Sequence, residues 1–429
     1  MYKKLIEPFI LGVIVSFYFF PIGLTFLPAS LNTKVILALF GAFVFVLDCI
    51  KKRSIVFSKD VFIAAVIAVI FSALCYVSVF LNDTSDTSYA NYFVSFFTWL
   101  GGAYGTIHLL RRRYQTVGIH IVSKYLLWVS VAQGISCLMI DNIPAFSAFV
   151  DTFMQIGQAS VRDMGRMYGI GSALDSGGVR FAIALVMSAY ELCSEIFVEK
   201  RFRTAAWSIL GFLFVIMVGN MISRTTTVGA LLGLGYIFLY ISQIKHGVLT
   251  YDRLRTIGAI ALVLAVAIPI VTFLYNTDSS MHSHLRFAFE GFFNWVETGE
   301  WRTDSTDKLN SVMWVWPTDT RTWLIGSGLF EGFVFSTDIG YCRFVLYCGI
   351  IGFSAFAIFF IYNAYAVSVK FRGTALLSLL LLTLTFTIWI KVSTDIFMVY
   401  ALLYCADAFS DDEDEEMEEI EDEEVLPSL

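Results

Sequence analysis

Apolar runs of roughly bilayer length recur along the whole chain, and short polar stretches separate them. The first, "IEPFILGVIVSFYFFPIGLTF", follows Lys3 and Lys4, and the next begins only a few residues later. About 20 apolar residues carry a helix across the hydrocarbon core. Inside it, every backbone polar group must be satisfied by its own segment or a close neighbour. The pattern therefore predicts an all-α polytopic membrane protein of about twelve spans, near 7–27, 35–50, 60–81, 91–110, 120–140, 179–197, 204–221, 226–243, 256–274, 340–361, 374–390 and 395–407. The first run reads as an uncleaved helix, because no small-residue cleavage site follows it. No repeat of solenoid length is evident.

Composition agrees. Of 429 residues, 57% are hydrophobic and only 15% charged, where soluble domains carry roughly 25%. The net charge of −7 is set by "DDEDEEMEEIEDEE" (411–424), whose twelve carboxylates turn a balance of +5 negative. Two parts follow: an integral membrane domain over 1–408, and an acidic tail over 409–429 that reads as solvated and disordered. The seven cysteines lie in or beside apolar segments with no C-x-x-C pair, so they read as small hydrophobes.

Basic residues set the orientation. Lys3 and Lys4, "KKRS" with Lys59, "RRR", "KRFR", Lys245 with Arg253 and Arg255, and "VKFR" hold 17 of the 29 Lys and Arg, all on one side. The positive-inside rule places that side, and both termini, in the cytoplasm. Two long outer loops remain, 141–178 and 275–338. Loops of this length are functional or disordered, and their aromatic content argues against disorder.

The outer side carries the candidate chemistry. In "HLRFAFEGFFNWVE" the apolar positions Leu285, Phe289, Phe292, Phe293 and Val296 follow a helical period. Arg286, Glu290, Asn294 and Glu297 fall opposite, either as a solvated stripe of an interfacial helix or as the wall of a polar cavity. Five of the nine tryptophans, Trp295, Trp301, Trp314, Trp316 and Trp323, lie in this loop. Such rings anchor at membrane interfaces and also stack on the apolar faces of sugars. Arg162, Arg166, Arg180 and Arg224 border the hydrocarbon on the same side. A charge there is expensive and faces a protein interior or a polar cavity. Arginine suits bidentate recognition of phosphate, so the group favours an anionic ligand over four separate structural roles. His282 and His284 lack the H-x-x-x-H spacing of a zinc helix. No outer D-x-D suggests a metal-held nucleotide sugar, and "GSGLFEG" is a glycine turn with no following lysine. No nucleic-acid footprint is present.

The order of "GRMYGIGSALDSGGVRFA", "SRTTTVGALLGL", "WLIGSGLF" and "TDIGYCRFVLYCGIIG" resembles the O-antigen and capsular polysaccharide polymerases of bacteria. These are Wzy-type members of the O-antigen ligase/polymerase superfamily. The resemblance covers most of 162–365. It implies a C-type glycosyltransferase-like fold with large periplasmic loops over a cavity, in the bacterial inner membrane. It also implies a reaction, in which a glycan on undecaprenyl pyrophosphate passes to a second lipid-linked repeat unit with inversion and without metal or cofactor. A chain-length regulator is a further partner the resemblance admits. By motif, pyrophosphate binding carries to Arg166, Arg180, Arg224 and Arg343. Trp295, Trp301 and Trp314 are the glycan-binding candidates. The acceptor hydroxyl needs a base within hydrogen-bond reach, and Asp338, Glu290 and His284 are the candidates. Asp338 stands first because it is placed at a span entrance, with orienting Arg343 as its competing role. The nearer alternative is a ligase that moves finished glycan to another acceptor. The more distant one is a flippase or transporter, against which the charges at the outer ends and the dissimilar halves argue.

Overall fold

The computed structural model describes residues 2–28, 30–55, 58–154, 166–243 and 271–408, together with positions 258, 265 and 269. The acidic tail 409–429, Arg162 and most of the expected span at 256–274 lie outside the described residues. Among the described residues the architecture is helical, and its one β-bridge joins Leu24 to Met154. The helices are α1 (Tyr2–Phe19), α2 (Thr33–Lys52), α3 (Lys59–Leu81), α4 (Tyr92–Tyr114), α5 (Ile119–Asn142), α6 (Pro144–Phe153), α7 (Leu174–Cys193), α8 (Phe202–Ile222) and α9 (Thr225–Gln243). The chain resumes as helix over 271–277. It continues in α10 (Ser279–Ala288), α11 (Glu290–Thr298), α12 (Asp304–Val312), α13 (Thr320–Ile325), α14 (Gly340–Lys370), α15 (Ala375–Ile388) and α16 (Phe397–Cys405).

Among the described residues, seven helices are long and apolar enough to cross a bilayer: α2, α3, α5, α7 with its continuation to Val198, α8, α9 and α14. The chain is a multi-pass membrane protein. Ile6–Phe19 and Ala375–Ile388 are shorter apolar helices. α7 lies at the centre, packed on α5, α8, α9 and α15, and most of its side chains are buried. α2 runs against α4, where a Cβ on Gly41 would fall 1.9 Å from the Gly101 carbonyl oxygen. Small residues of this kind let membrane helices approach closely.

Contacts sort the connections onto two ends of the bundle. At one end Arg111 pairs with Asp407 (2.6 Å) and Lys370 donates to the carbonyls of Leu403, Tyr404 and Ala406 at the close of α16. Cations at a helix C-terminus complement its dipole. At the other end Asp86 reaches Phe330 and Glu331, Lys391 pairs with Asp175, and His284 meets Asp141. The long loops share this second, loop-bearing end.

The interval 275–338 folds as short helices with their own caps. Asp278, Thr303 and Asp319 accept from Met281 N, Thr306 N and Thr322 N and open α10, α12 and α13. The single amphipathic helix expected over 284–297 is divided at Phe289, whose backbone (φ −117°, ψ 28°) leaves the helical region. A further departure lies in α14. Gly349 takes φ 66° and breaks the helix, which frees the carbonyls of Leu346 and Tyr347. The turn at 326–328 fills the break. Ser327 N (2.7 Å) and Oγ (2.8 Å) donate to Leu346 O, while Gly328 N (3.0 Å) and Ser78 Oγ (2.7 Å) donate to Tyr347 O. The "GSG" motif is thus the plug of a broken helix.

A polar cluster sits near the opposite end. Lys124 Nζ lies 2.9 Å from Glu191 and 3.3 Å from Glu195, and His120 Nδ1 lies 2.7 Å from Glu191. Both glutamates are buried, and the helix continues past Cys193 as a π-turn over Ser194–Val198. They do not reach an aqueous interface, as position near a span end suggests. They are neutralised within the bundle.

Two stability outcomes follow. Gly349→Ala adds left-handed strain of about 1–3 kcal/mol and a Cβ 2.2 Å from Leu324 O. It should lower the thermal midpoint in detergent, while Gly12→Ala, with nothing within 4 Å, should not. Lys124→Met leaves buried carboxylates uncompensated and should cost about 3–5 kcal/mol, partly recovered by adding Glu195→Gln.

Candidate functional site

The last turn of α5 and the helix α10 meet over a cavity. Asp278 starts α10, Leu285 and Ala288 bury its inner face, and the helix packs on α8. This sets His284 opposite Asp141, 143 positions away in sequence. The His284 Nε2 atom is 3.3 Å from Asp141 Oδ1, 3.3 Å from Asp141 Oδ2 and 3.3 Å from Ser280 Oγ. The cavity beside them has a volume of about 490 Å³, and Asp141, Asp151, Arg166, Tyr168, Ser280 and His284 contribute polar groups to its lining.

Arg166 also reaches toward α8 and α9. Its guanidinium lies 5.1 Å from the centre of the Phe287 ring, and that of Arg224 lies 4.6 Å from the same ring. Arg224 stands at the α8–α9 turn and ion-pairs with Glu290, whose other oxygen accepts from Asp304 N at 2.8 Å. Both carboxylate oxygens of this candidate base are therefore occupied, and its position makes it the counter-ion that orients Arg224. Lys391 joins the group through Asp175, at 3.5 Å. Burial pulls the Lys391 ammonium below its usual value, and the neighbouring Arg224 and Arg166 add to this against the pull of Asp175. Arg166, Arg224 and Lys391 thus form one cationic group with Glu290 and Asp175 as counter-ions, and Arg166 carries it into the lining of the cavity, where Asp141 and Asp151 also lie. Asp175 is itself held by Ser223 Oγ at 2.8 Å, in the first turn of α7, where a helix favours an anion.

Arg180 occupies a neighbouring position. Its Nη1 donates to Ser176 O (2.9 Å) and its Nε is buried without a partner. It faces Asp395 and Lys34 rather than Arg166. Lys34 lies over the Trp99 ring at 4.4 Å, and Asp395 accepts from Phe397 N at 2.9 Å.

Arg343 and Asp338 lie apart from both groups. Arg343 Nη2 donates to Phe330 O at 2.6 Å, and its guanidinium covers the Phe330 ring at 4.1 Å. The Phe330 turn is fixed in turn by Asp86. Burial raises the Asp86 carboxyl, but hydrogen bonds from Ser88 and from the backbone of Glu331 and Phe330 outweigh it and hold the group below the usual carboxylate value. Asp338 is exposed, and the cap residue of α14 is Ile339, not Asp338. Thr337 fixes the turn that leads into α14: its Oγ1 accepts from Ile339 N (3.1 Å) and donates to Met313 O (2.5 Å).

The tryptophans divide. Trp314, Trp316 and Trp323 form a ladder with centroids 6.0 and 5.6 Å apart, each ring more than a third exposed. The stacking covers both faces of Trp316, so only the outer faces of Trp314 and Trp323 are open to a sugar. Trp295 (52% exposed) borders Phe292, and Trp301 (68% exposed) lies against Gly291. These two do not join the ladder. Arg286 is bound to Glu297 across the break at Phe289, and Asn294 donates to Arg302 O, so most of the polar stripe is consumed within the loop.

Asp141, Lys391, Lys34 and Asp395 were not among the expected site residues. The signal available for Asp395 and Lys391 is a pair of opposite charges in "WIKVSTDIF", an otherwise apolar turn. Asp141 gives no local signal, because its partner lies in the other long loop. No protein-family model matches the chain, and no curated protein and no solved structure matches it.

Proposed function

We propose that the chain is a twelve-span glycosyltransferase of C-type character. It would transfer a glycan from undecaprenyl pyrophosphate to a second lipid-linked repeat unit at the loop-bearing, periplasmic face, with inversion and without metal. The observation that carries this reading is the convergence of Arg166, Arg224 and Lys391 beside the cavity that holds His284. A departing pyrophosphate gathers negative charge, and fixed cations in a water-poor site stabilise it as the bond breaks. Phe287 holds two guanidiniums against one ring, and their fork geometry suits phosphate oxygens. Of the three candidate bases, Glu290 is committed to Arg224 and Asp338 is not among the residues that line the cavity. His284 is the one in reach of a hydroxyl bound there.

The ladder at Trp314 and Trp323 offers two exposed rings to a glycan. Arg180 with Lys34 forms a second cationic point on the same face, suited to the pyrophosphate of the acceptor. A histidine in the cavity also favours a second reading, a ligase that delivers finished glycan to a different acceptor. A deletion strain separates the two, since a polymerase mutant keeps single repeat units on its surface and a ligase mutant shows none.

The test is elongation of a defined lipid-linked repeat unit by purified protein with EDTA present. Arg166→Ala and Arg224→Ala should each slow elongation about 10²–10³-fold, and lysine at either position should restore only part of it. Glu290→Gln should weaken activity less than Arg224→Ala, because the guanidinium remains but loses its orientation. Normal chain length in all of these variants, or an absolute need for metal, overturns the proposal.

A further inference from the structure

A carboxylate in the last turn of a helix opposes the helix dipole, and Asp141 occupies that place in α5. Its position is better explained by what it meets. Both of its oxygens lie 3.3 Å from a single nitrogen of His284, and that histidine is only 11% exposed. Ser280 Oγ approaches the same nitrogen at 3.3 Å and lies 3.5 Å from Asp141 Oδ2. A serine nucleophile activated through a histidine relay needs the carboxylate and the hydroxyl on opposite ring nitrogens. Here both meet Nε2, so Ser280 is not such a nucleophile.

The remaining assignment concerns the tautomer. A hydrogen bond to one ring nitrogen decides which nitrogen carries the proton. With Asp141 accepting from Nε2–H, Nδ1 keeps its lone pair. We infer that Asp141 is a positioning residue: it fixes His284 in the tautomer whose Nδ1 acts as general base, and so joins the two long loops into one catalytic unit.

The inference rests on the glycosyl-transfer reading. In that reaction Nδ1 takes the proton of the acceptor hydroxyl as its oxygen bonds to the anomeric carbon. The bond from that carbon to the pyrophosphate oxygen breaks, and the lipid pyrophosphate leaves with the electron pair toward Arg166 and Arg224. Asp141 stabilises the imidazolium formed, which then returns its proton to water.

Full-length protein carrying ¹⁵N-labelled histidine in detergent supplies a readout independent of activity, with the His284 signals identified by their loss in His284→Gln. The wild type should show a protonated Nε2 and a bare Nδ1. Asp141→Asn offers an amide N–H to Nε2 and should move the proton to Nδ1. Elongation of a lipid-linked repeat unit should fall about 100-fold or more with KM changed less than about twofold, and Asp141→Glu should recover part of the rate. Asp141→Asn combined with His284→Gln should be no slower than His284→Gln alone. Unchanged ¹⁵N shifts, or a wild-type rate in a folded Asp141→Asn protein, overturns the inference while the proposed function stands. A wild-type protein that elongates no lipid-linked unit overturns that function and the base role with it, and the ¹⁵N spectrum still decides the Asp141–His284 bond.

Discussion

A guanidinium at the edge of hydrocarbon must be met by a carboxylate, an aromatic face, a carbonyl or water, since a bare charge there is costly. The loop-bearing end of the bundle is arranged around meeting several of them at once. Arg343 is satisfied by the carbonyl and ring of Phe330, and Arg286 by Glu297. Those two are closed. Arg166 and Arg224 share the ring of Phe287, and Arg224 keeps a buried, unpaired Nε despite its bond to Glu290. Under the proposed function, the closed arginines are structural and the open ones are those left for a ligand.

The same constraint explains why the loop between α9 and α14 is folded and not merely tethered. Glu290 must reach Arg224, and Asp304 N must reach Glu290. That requires the chain to turn sharply at Phe289 in place of continuing one helix. The polar edge that periodicity predicts is still formed, but its members are spent on different partners. Three of the short helices, α10, α12 and α13, carry side-chain caps of their own, which satisfy N-terminal N–H groups within the loop.

The helical, multi-pass character was legible in the chain, because recurring apolar runs of bilayer length are a local, compositional property. The break in α14 was not. "YCGIIG" reads as an unbroken apolar helix, and only the docking of "GSG" against Leu346 and Tyr347 compensates the lost hydrogen bonds. Asp338 stands where a span begins, yet it is exposed and α14 starts without a side-chain cap; Thr337 closes the turn before it by reaching both Ile339 N and Met313 O. Asp141 and His284 are separated by 143 positions in sequence, and nothing in either loop announces the other. Pairings of this length belong to the fold, not to a pattern.

The distribution of open and closed polar groups also bears on the kind of machine this is. An alternating-access carrier built on a broken helix uses the freed carbonyls to hold an ion near the middle of the membrane. In α14 the carbonyls of Leu346 and Tyr347 are already taken by Ser327, Gly328 and Ser78. At the opposite end Lys124 is enclosed with Glu191 and Glu195, Arg111 with Asp407, and Lys370 with the carbonyls of α16. Among the described residues, Arg166, Arg224 and Lys391 gather on the loop-bearing side, and Arg166 lines the cavity there. Under the proposed glycosyl transfer, that placement lets the site meet its substrates from a single side.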